Sequence, residues 1–194
     1  MAILYDSQNV VVGEAALFLQ VYNPSTPPVW RPDTTALFAA ATAPWVSVGG
    51  TDDGFKINLE TSTTTINIEE QALPVAETVE SRKLGIEASL AEDTLESMIW
   101  AWGSGQIATT AAGSGTWGKK TLTLTNTLLI VAAILETRNK FGYARRYNIP
   151  RMSSVGGGTT SFRRAADKRM YDLKLSSVCE LPEVSIVELT APAT

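Results

Sequence analysis

The sequence predicts an α+β fold that is mainly β, a β-sandwich or small barrel with one flanking helix and long loops or arms. Three observations carry this. Apolar and polar residues alternate with period two in several stretches, the pattern of half-buried strands. One segment, about residues 93–102, switches to a period of 3.6 and predicts the single helix. Pro24, Pro27, Pro28 and Pro32 crowd the stretch 23–43, which therefore reads as a long irregular arm. With 194 residues, the chain is long enough for one substantial core and short for two. Residues 1–194 accordingly read as one domain.

The elements follow in chain order. Val10–Val12 and Ala15–Tyr22 are rich in strand formers and meet at Gly13-Glu14. The prolines of the next stretch limit its freedom, which suits an ordered arm docked on a neighbour. Phe55, Ile57 and Leu59 alternate with Lys56, Asn58 and Glu60, and Ile66 and Ile68 alternate with Thr65, Asn67 and Glu69. Thr61-Ser62-Thr63-Thr64 lies between, so 54–69 reads as a long hairpin turning there. Leu84, Ile86, Ala88 and Leu90 form one face of a further strand.

Asp93-Thr94-Leu95-Glu96 then reads as a capping box, with Asp93 as the N-cap and Glu96 reaching back. Leu95, Met98, Ile99 and Trp102 supply the apolar stripe, and Gly103 suits a left-handed stop. Gln106–Thr110 and Thr121–Thr125 read as short strands. Leu128–Leu135 is a continuous apolar run, a strand buried on both faces. Tyr143–Met152, the face Tyr171 to Leu181 and Val184–Leu189 complete roughly ten strands, with a flexible Gly-rich loop at about 153–161.

Composition removes whole classes of chemistry. The chain has no histidine, so it holds no Ser-His-Asp or Cys-His pair and no histidine-ligated metal. Cys179 is the single cysteine, which excludes an internal disulfide, and its place on an apolar strand face makes it a core thiol. The carboxylate pairs Asp52-Asp53 and Glu69-Glu70 are adjacent in strands, so their side chains point to opposite faces. Gly156-Gly157-Gly158 lacks the Gly-Lys-Ser/Thr of a phosphate loop. No catalytic, metal or cofactor site is expected. No apolar run approaches the ~18 residues of a membrane span, and the N-terminus lacks the basic region and cleavage site of a secretion signal. A protein that stays in the cytoplasm where it is made is the expectation.

Charge is strongly polarised. Arg138, Lys140, Arg145, Arg146, Arg151, Arg163, Arg164, Lys168 and Arg169 meet only Asp167 in their stretch, a local balance of +8. The other seven basic and nineteen acidic residues balance at -12. Such asymmetry fits either a nucleic-acid patch or a basic surface that meets the acidic surface of another copy. Trp100 and Trp102 cannot both face the core from one helix, so Trp100 is a candidate for burial at a subunit contact.

The order of several short motifs resembles one family. Val10-Val11-Val12-Gly13-Glu14 opens the chain, then comes the Pro-rich arm, then Trp45-Val46-Ser47-Val48-Gly49-Gly50-Thr51-Asp52-Asp53-Gly54. Ile66-Asn67-Ile68-Glu69-Glu70-Gln71-Ala72-Leu73-Pro74-Val75 follows, and then Leu90-Ala91-Glu92-Asp93-Thr94-Leu95-Glu96. This series resembles the major tail tube proteins of long-tailed, non-contractile bacteriophages, most densely from Trp45 to Gly103. The chain departs from the family pattern at Glu69-Glu70-Gln71, where a more Asp-Gln-like pair is expected.

The resemblance implies a structural virion protein, assembled in the bacterial cytoplasm into stacked rings of six copies. Each ring contributes strands to a continuous inner β-barrel. Its implied partners are further copies of itself, a tape measure protein, tail terminator and tail-tip proteins, and double-stranded DNA passing through the lumen. Asn58, Glu60, Thr65, Asn67 and Glu69 are then expected to face the lumen, where hydroxyls and carboxylates let DNA slide. Arg145, Arg146, Arg163, Arg164 and Arg169 are expected at contacts between subunits or rings, since a basic lumen would hold DNA. The alternatives are a tail terminator or completion ring and, further off, a DNA-binding module using 138–169.

Overall fold

A computed structural model of the chain describes residues 14–33, 35–66, 76–138, 144–155 and 170–189. The flexible loop expected at 153–161 starts later, because Ser153 and Ser154 end a strand and are buried. Its residues 156–161, the expected strand at Val10–Val12, and Asn67, Glu69, Arg163, Arg164 and Arg169 lie outside the described residues. The fold is mainly β with antiparallel pairing throughout and a single α-helix among the described residues. The strands are β1 (Ala15–Val21), β2 (Val46–Ser47), β3 (Thr51–Ile66), β4 (Ala76–Leu90), β5 (Gln106–Thr110), β6 (Lys119–Thr123), β7 (Ile130–Arg138), β8 (Ala144–Ser154), β9 (Tyr171–Ser177) and β10 (Ser185–Leu189). The helix, α1, is Leu95–Trp102.

One sheet runs in the order β2-β1-β7-β8-β9-β4-β3, with β10 also paired to β8, and β5-β6 form a separate hairpin. The two ends of that order, β2 and β3, are separated in the chain only by residues 48–50. A flat sheet would hold them about 29 Å apart, whereas the intervening chain spans ~14 Å at most. The sheet must therefore curl until its ends meet. Val48 N–H donates to Leu17 O at 3.0 Å and Ala91 N–H to Gly50 O at 2.9 Å, tying the connection to strands on both sides.

The interior of the curl is the main core. Leu17 and Leu19 of β1, Ile86 and Leu90 of β4, Val131, Ala133 and Leu135 of β7, Ile149 and Met152 of β8, and Leu173 and Leu175 of β9 meet there. β7 buries its other face too: Ala132 and Ile134 point outward into a second cluster with Phe18 and Trp45. This is why 128–135 reads as uninterrupted apolar sequence. Each fully buried leucine or isoleucine contributes about 1.5–3 kcal/mol relative to exposure.

The helix sits one residue later than its capping box suggested. Thr94, not Asp93, is the N-cap, and its hydroxyl accepts the Ser97 N–H at 3.0 Å. Asp93 is engaged elsewhere, accepting the Tyr171 hydroxyl at 2.6 Å, and Glu96 accepts from Lys120 at 2.8 Å. The deepest helical residues are Ser97, Trp100 and Ala101, while Met98, Ile99 and Trp102 pack at the margin of the core. The buried stripe is thus rotated from the expected one, because α1 packs against β9 and β8 on one side and β5 on another.

Gly103 ends the helix at φ 63, and a Cβ there would lie 2.5 Å from Ser154 Cβ. Gly103→Ala is therefore expected to destabilise by about 2–4 kcal/mol, combining left-handed strain with overpacking. Gly115→Ala, at φ 73 with open space around it, should lose only the dihedral part, about 1 kcal/mol. Denaturant midpoints of the two variants compare these directly; equal losses would contradict the packing account.

The strand expected to fold back at 61–64 does not. β3 runs without a turn for 16 residues and pairs with β4 from Thr51↔Leu90 to Ile66↔Ala76. Beyond Leu84, β4 has left β9, whose pairing covers only Gly85 to Leu90. Residues 60–66 and 76–83 therefore form a two-stranded ribbon projecting past the sheet.

Candidate functional site

The ribbon and its root are the first candidate. Asn58, Glu60, Ser62 and Thr64 share one face of β3, and the Glu80 carboxylate accepts hydrogen bonds from both Ser62 and Thr64. Cross-strand pairing adds Lys83 opposite Glu60, and the row Lys56–Glu87–Lys174 lies at the root. The face is hydroxyl-rich and mixed in charge. Asn58 is half-buried and its Oδ1 lies where a Cβ on Gly85 would stand, 2.0 Å away, so this side chain fills the gap left by the glycine.

Thr65 does not join that face. Because β3 is continuous, period-two alternation puts Thr61, Thr63 and Thr65 opposite Asn58 and Glu60. The expected lumen set is therefore divided between two surfaces among its described members. Ile57 and Leu59 share the threonine side, paired with the buried Ile86 and Leu84, yet they are 37% and 57% exposed, since among the described residues no strand covers the outer edge of β3.

The arm forms the second candidate. Its described residues lie across β1, β7 and β8 of its own chain. Trp30 stacks on Trp45 with ring centroids 5.8 Å apart, and Trp45 Nε1 donates to Val29 O at 3.0 Å. Beneath the arm sits a buried ionic cluster. Glu136 and Arg146 are both fully buried; Glu136 Oε1 accepts from Arg146 Nε at 3.0 Å, and Arg146 Nη2 is in ion-pair contact with the same oxygen at 3.0 Å. Arg31 Nη1 lies 3.4 Å from the same oxygen, an ion-pair contact without hydrogen-bond geometry. Its guanidinium stands 4.5 Å over the Phe18 ring.

The second Glu136 oxygen accepts the Phe38 N–H at 2.8 Å, holding a residue whose φ is 58. Arg146 Nη1 donates to the carbonyls of Arg31 and Pro32, both at 3.1 Å. Arg146 is thus an internal clasp for the arm and not a subunit contact, since no part of its side chain reaches the surface. Sequence reasoning missed Arg31 and Glu136. A carboxylate two residues beyond Ile134 on a strand buried on both faces was the available signal, because such a group requires a cationic partner.

The remaining arginines of the described stretch are also matched. Arg145 pairs with Glu188 at 3.1 Å, Arg151 with Glu183 at 2.6 Å, and Arg138 lies 5.2 Å over the Phe38 ring. The Glu188 hydrogen bond holds the Arg145 guanidinium above its usual pKa. The described part of the +8 stretch is therefore not a bare basic surface over β8. Trp100, expected at a subunit contact, packs in the core of its own chain with 9% exposure. Cys179 is buried, and burial pushes its thiol pKa up, in keeping with an inert core thiol.

A third feature is a groove of about 560 Å³ between α1, the start of β5 and residues 125–129. Among the described residues no cluster of three metal-ligating side chains occurs, and no helix is long and apolar enough to cross a membrane. Comparison with protein-family models and with curated proteins finds no match for this chain.

Proposed function

We propose that this chain is a structural subunit of a phage tail tube, polymerising as stacked rings around a channel for double-stranded DNA. The observation that carries the proposal is the β3–β4 ribbon, together with the motif order described above. Among the described residues the ribbon has neither a third strand nor a covering layer, and such a two-stranded unit is marginal in water. A long open edge is also a standing invitation to uncontrolled pairing. Ring closure answers both, because each copy's edge meets the next copy and no edge remains.

In this reading the Asn58-Glu60-Ser62-Thr64 face, with Glu80, lines the lumen. Hydroxyls and carboxylates there offer phosphates little to bind. The opposite face carries Ile57, Leu59 and Val79, apolar groups that suit burial against protein. A tape measure protein inside the tube and terminator and tip proteins at its ends complete the proposed partners, and the virion tail is the proposed location. The in-chain partners of Arg145, Arg146 and Arg151 weigh against the alternative of a DNA-binding module.

Sedimentation velocity over a concentration series tests the reading. A tube subunit grows without limit, whereas a terminator ring stops at one discrete species. Titration with duplex DNA in parallel should give weak binding. Tight binding with a steep salt dependence would overturn the structural reading in favour of the DNA-binding one.

A further inference from the structure

The β5–β6 hairpin exposes one large aromatic side chain. Trp117 follows the turn closed by the Gly113↔Thr116 bridge and is 95% exposed, the most exposed large hydrophobic residue described. A tryptophan so placed contributes nothing to the fold of its own chain. At the opposite end of the same hairpin, Val21, Ile99, Trp100, Ile107, Leu128 and Leu129 line the groove of about 560 Å³. Val21 and Leu128 form exposed lips on it. Apolar knob and apolar hole therefore lie at the two ends of one rigid element, so a chain cannot fill its own groove without unfolding the hairpin.

Charge follows the same division. Residues 104–125, the hairpin and its flanks, carry Lys119 and Lys120 and no acidic residue. Glu96 of α1 lines the groove, and Glu92 and Asp93 immediately precede the helix, with no basic residue from 91 to 102. Lys120 is already held by Glu96, while Lys119 makes no ion pair among the described residues.

We infer that the groove receives Trp117 from a second copy of this chain, with Lys119 set against the acidic flank of α1. A knob and a hole at different places on one surface make a heterologous contact, which repeats from copy to copy as a ring or an open filament. Tryptophan is also among the residues enriched at interface hot spots, where it fills well-packed pockets. The inference deepens the tube reading and rests on it, naming one contact by which copies join.

The test uses the full chain. Trp117→Ala should leave circular dichroism and the thermal midpoint unchanged, given the exposure of the side chain, and raise the concentration for half-assembly about 30-fold. Trp117→Cys and Leu128→Cys variants, mixed and oxidised, should form a disulfide-linked dimer that neither forms alone. Cys179 is buried and does not compete. If the parent protein assembles, Trp117→Ala assembles equally well and no mixed dimer forms, the contact is wrong and the tube reading stands. A mixed dimer without tubes would establish the contact and overturn the tube reading. Absence of both association and mixed dimer would overturn the contact.

Discussion

Glu136→Ala is expected to cost about 3–5 kcal/mol of folding stability. The substitution leaves Arg146, fully buried, without its counter-ion and removes the acceptor of the Phe38 N–H. It also removes the carboxylate facing Arg31. The loss should not be spread evenly over the molecule. Because the cluster clasps the arm, residues 23–45 should become sensitive to protease at denaturant concentrations where the sheet is still folded. Urea unfolding followed by tryptophan fluorescence, with limited proteolysis alongside, measures both effects. A loss under about 1 kcal/mol would mean that water reaches the cluster and that the ion pair does not hold the arm. Replacing Arg31, Glu136 and Arg146 together by apolar residues should recover only part of the loss, since the Arg31 and Pro32 carbonyls would lose their Arg146 donor.

Excising the ribbon should have the opposite profile, with little effect on stability and complete loss of assembly. Joining Ser62 to Ser81 through Asn-Gly uses an existing cross-strand pair and a turn that fits a two-residue hairpin. The removed residues contribute no side chain to either core cluster among the described residues. The thermal midpoint should therefore shift by only a few degrees, the equivalent of about 1 kcal/mol. Sedimentation at concentrations where the parent polymerises should show a monomer. A shortened chain that still formed tubes would show that the ribbon is not the joining element.

The contrast between these two regions also explains what was legible in the sequence. Where one face is buried and the other wet, alternation identifies the strand, as at Tyr171–Ser177. Where both faces are buried, as at Val131–Leu135, an apolar run identifies it equally well, although the run begins before the strand, at the exposed Leu128. The run Thr61 to Thr65 offers neither contrast, since both of its faces meet solvent in the isolated chain. Five successive hydroxyl residues then look like a turn, and the continuous strand is mistaken for a hairpin. With the strand continuous, Thr65 falls on the face opposite Asn58 and Glu60.

The arm and its clasp were hidden for a different reason. Counting charge along 138–169 starts two residues after Glu136, the partner that matters most. β7 and β8 pair Glu136 with Arg146 directly across the strands, so a charge isolated in the sequence is neutralised by register. The helix was found by its period and its Gly103 stop, yet its buried stripe depends on which strands it packs against. Trp100 went to the core for that reason, and no local pattern could have distinguished it from Trp102. The groove and Trp117 belong to the tertiary arrangement, as their pairing is visible only once the hairpin separates them.

Electron microscopy of the purified full chain at high concentration tests the central claim most directly. Hollow tubes with regular cross-striations are the expected result, each striation one ring of copies. Monomers, or single rings that never stack, at every concentration and salt would contradict the account.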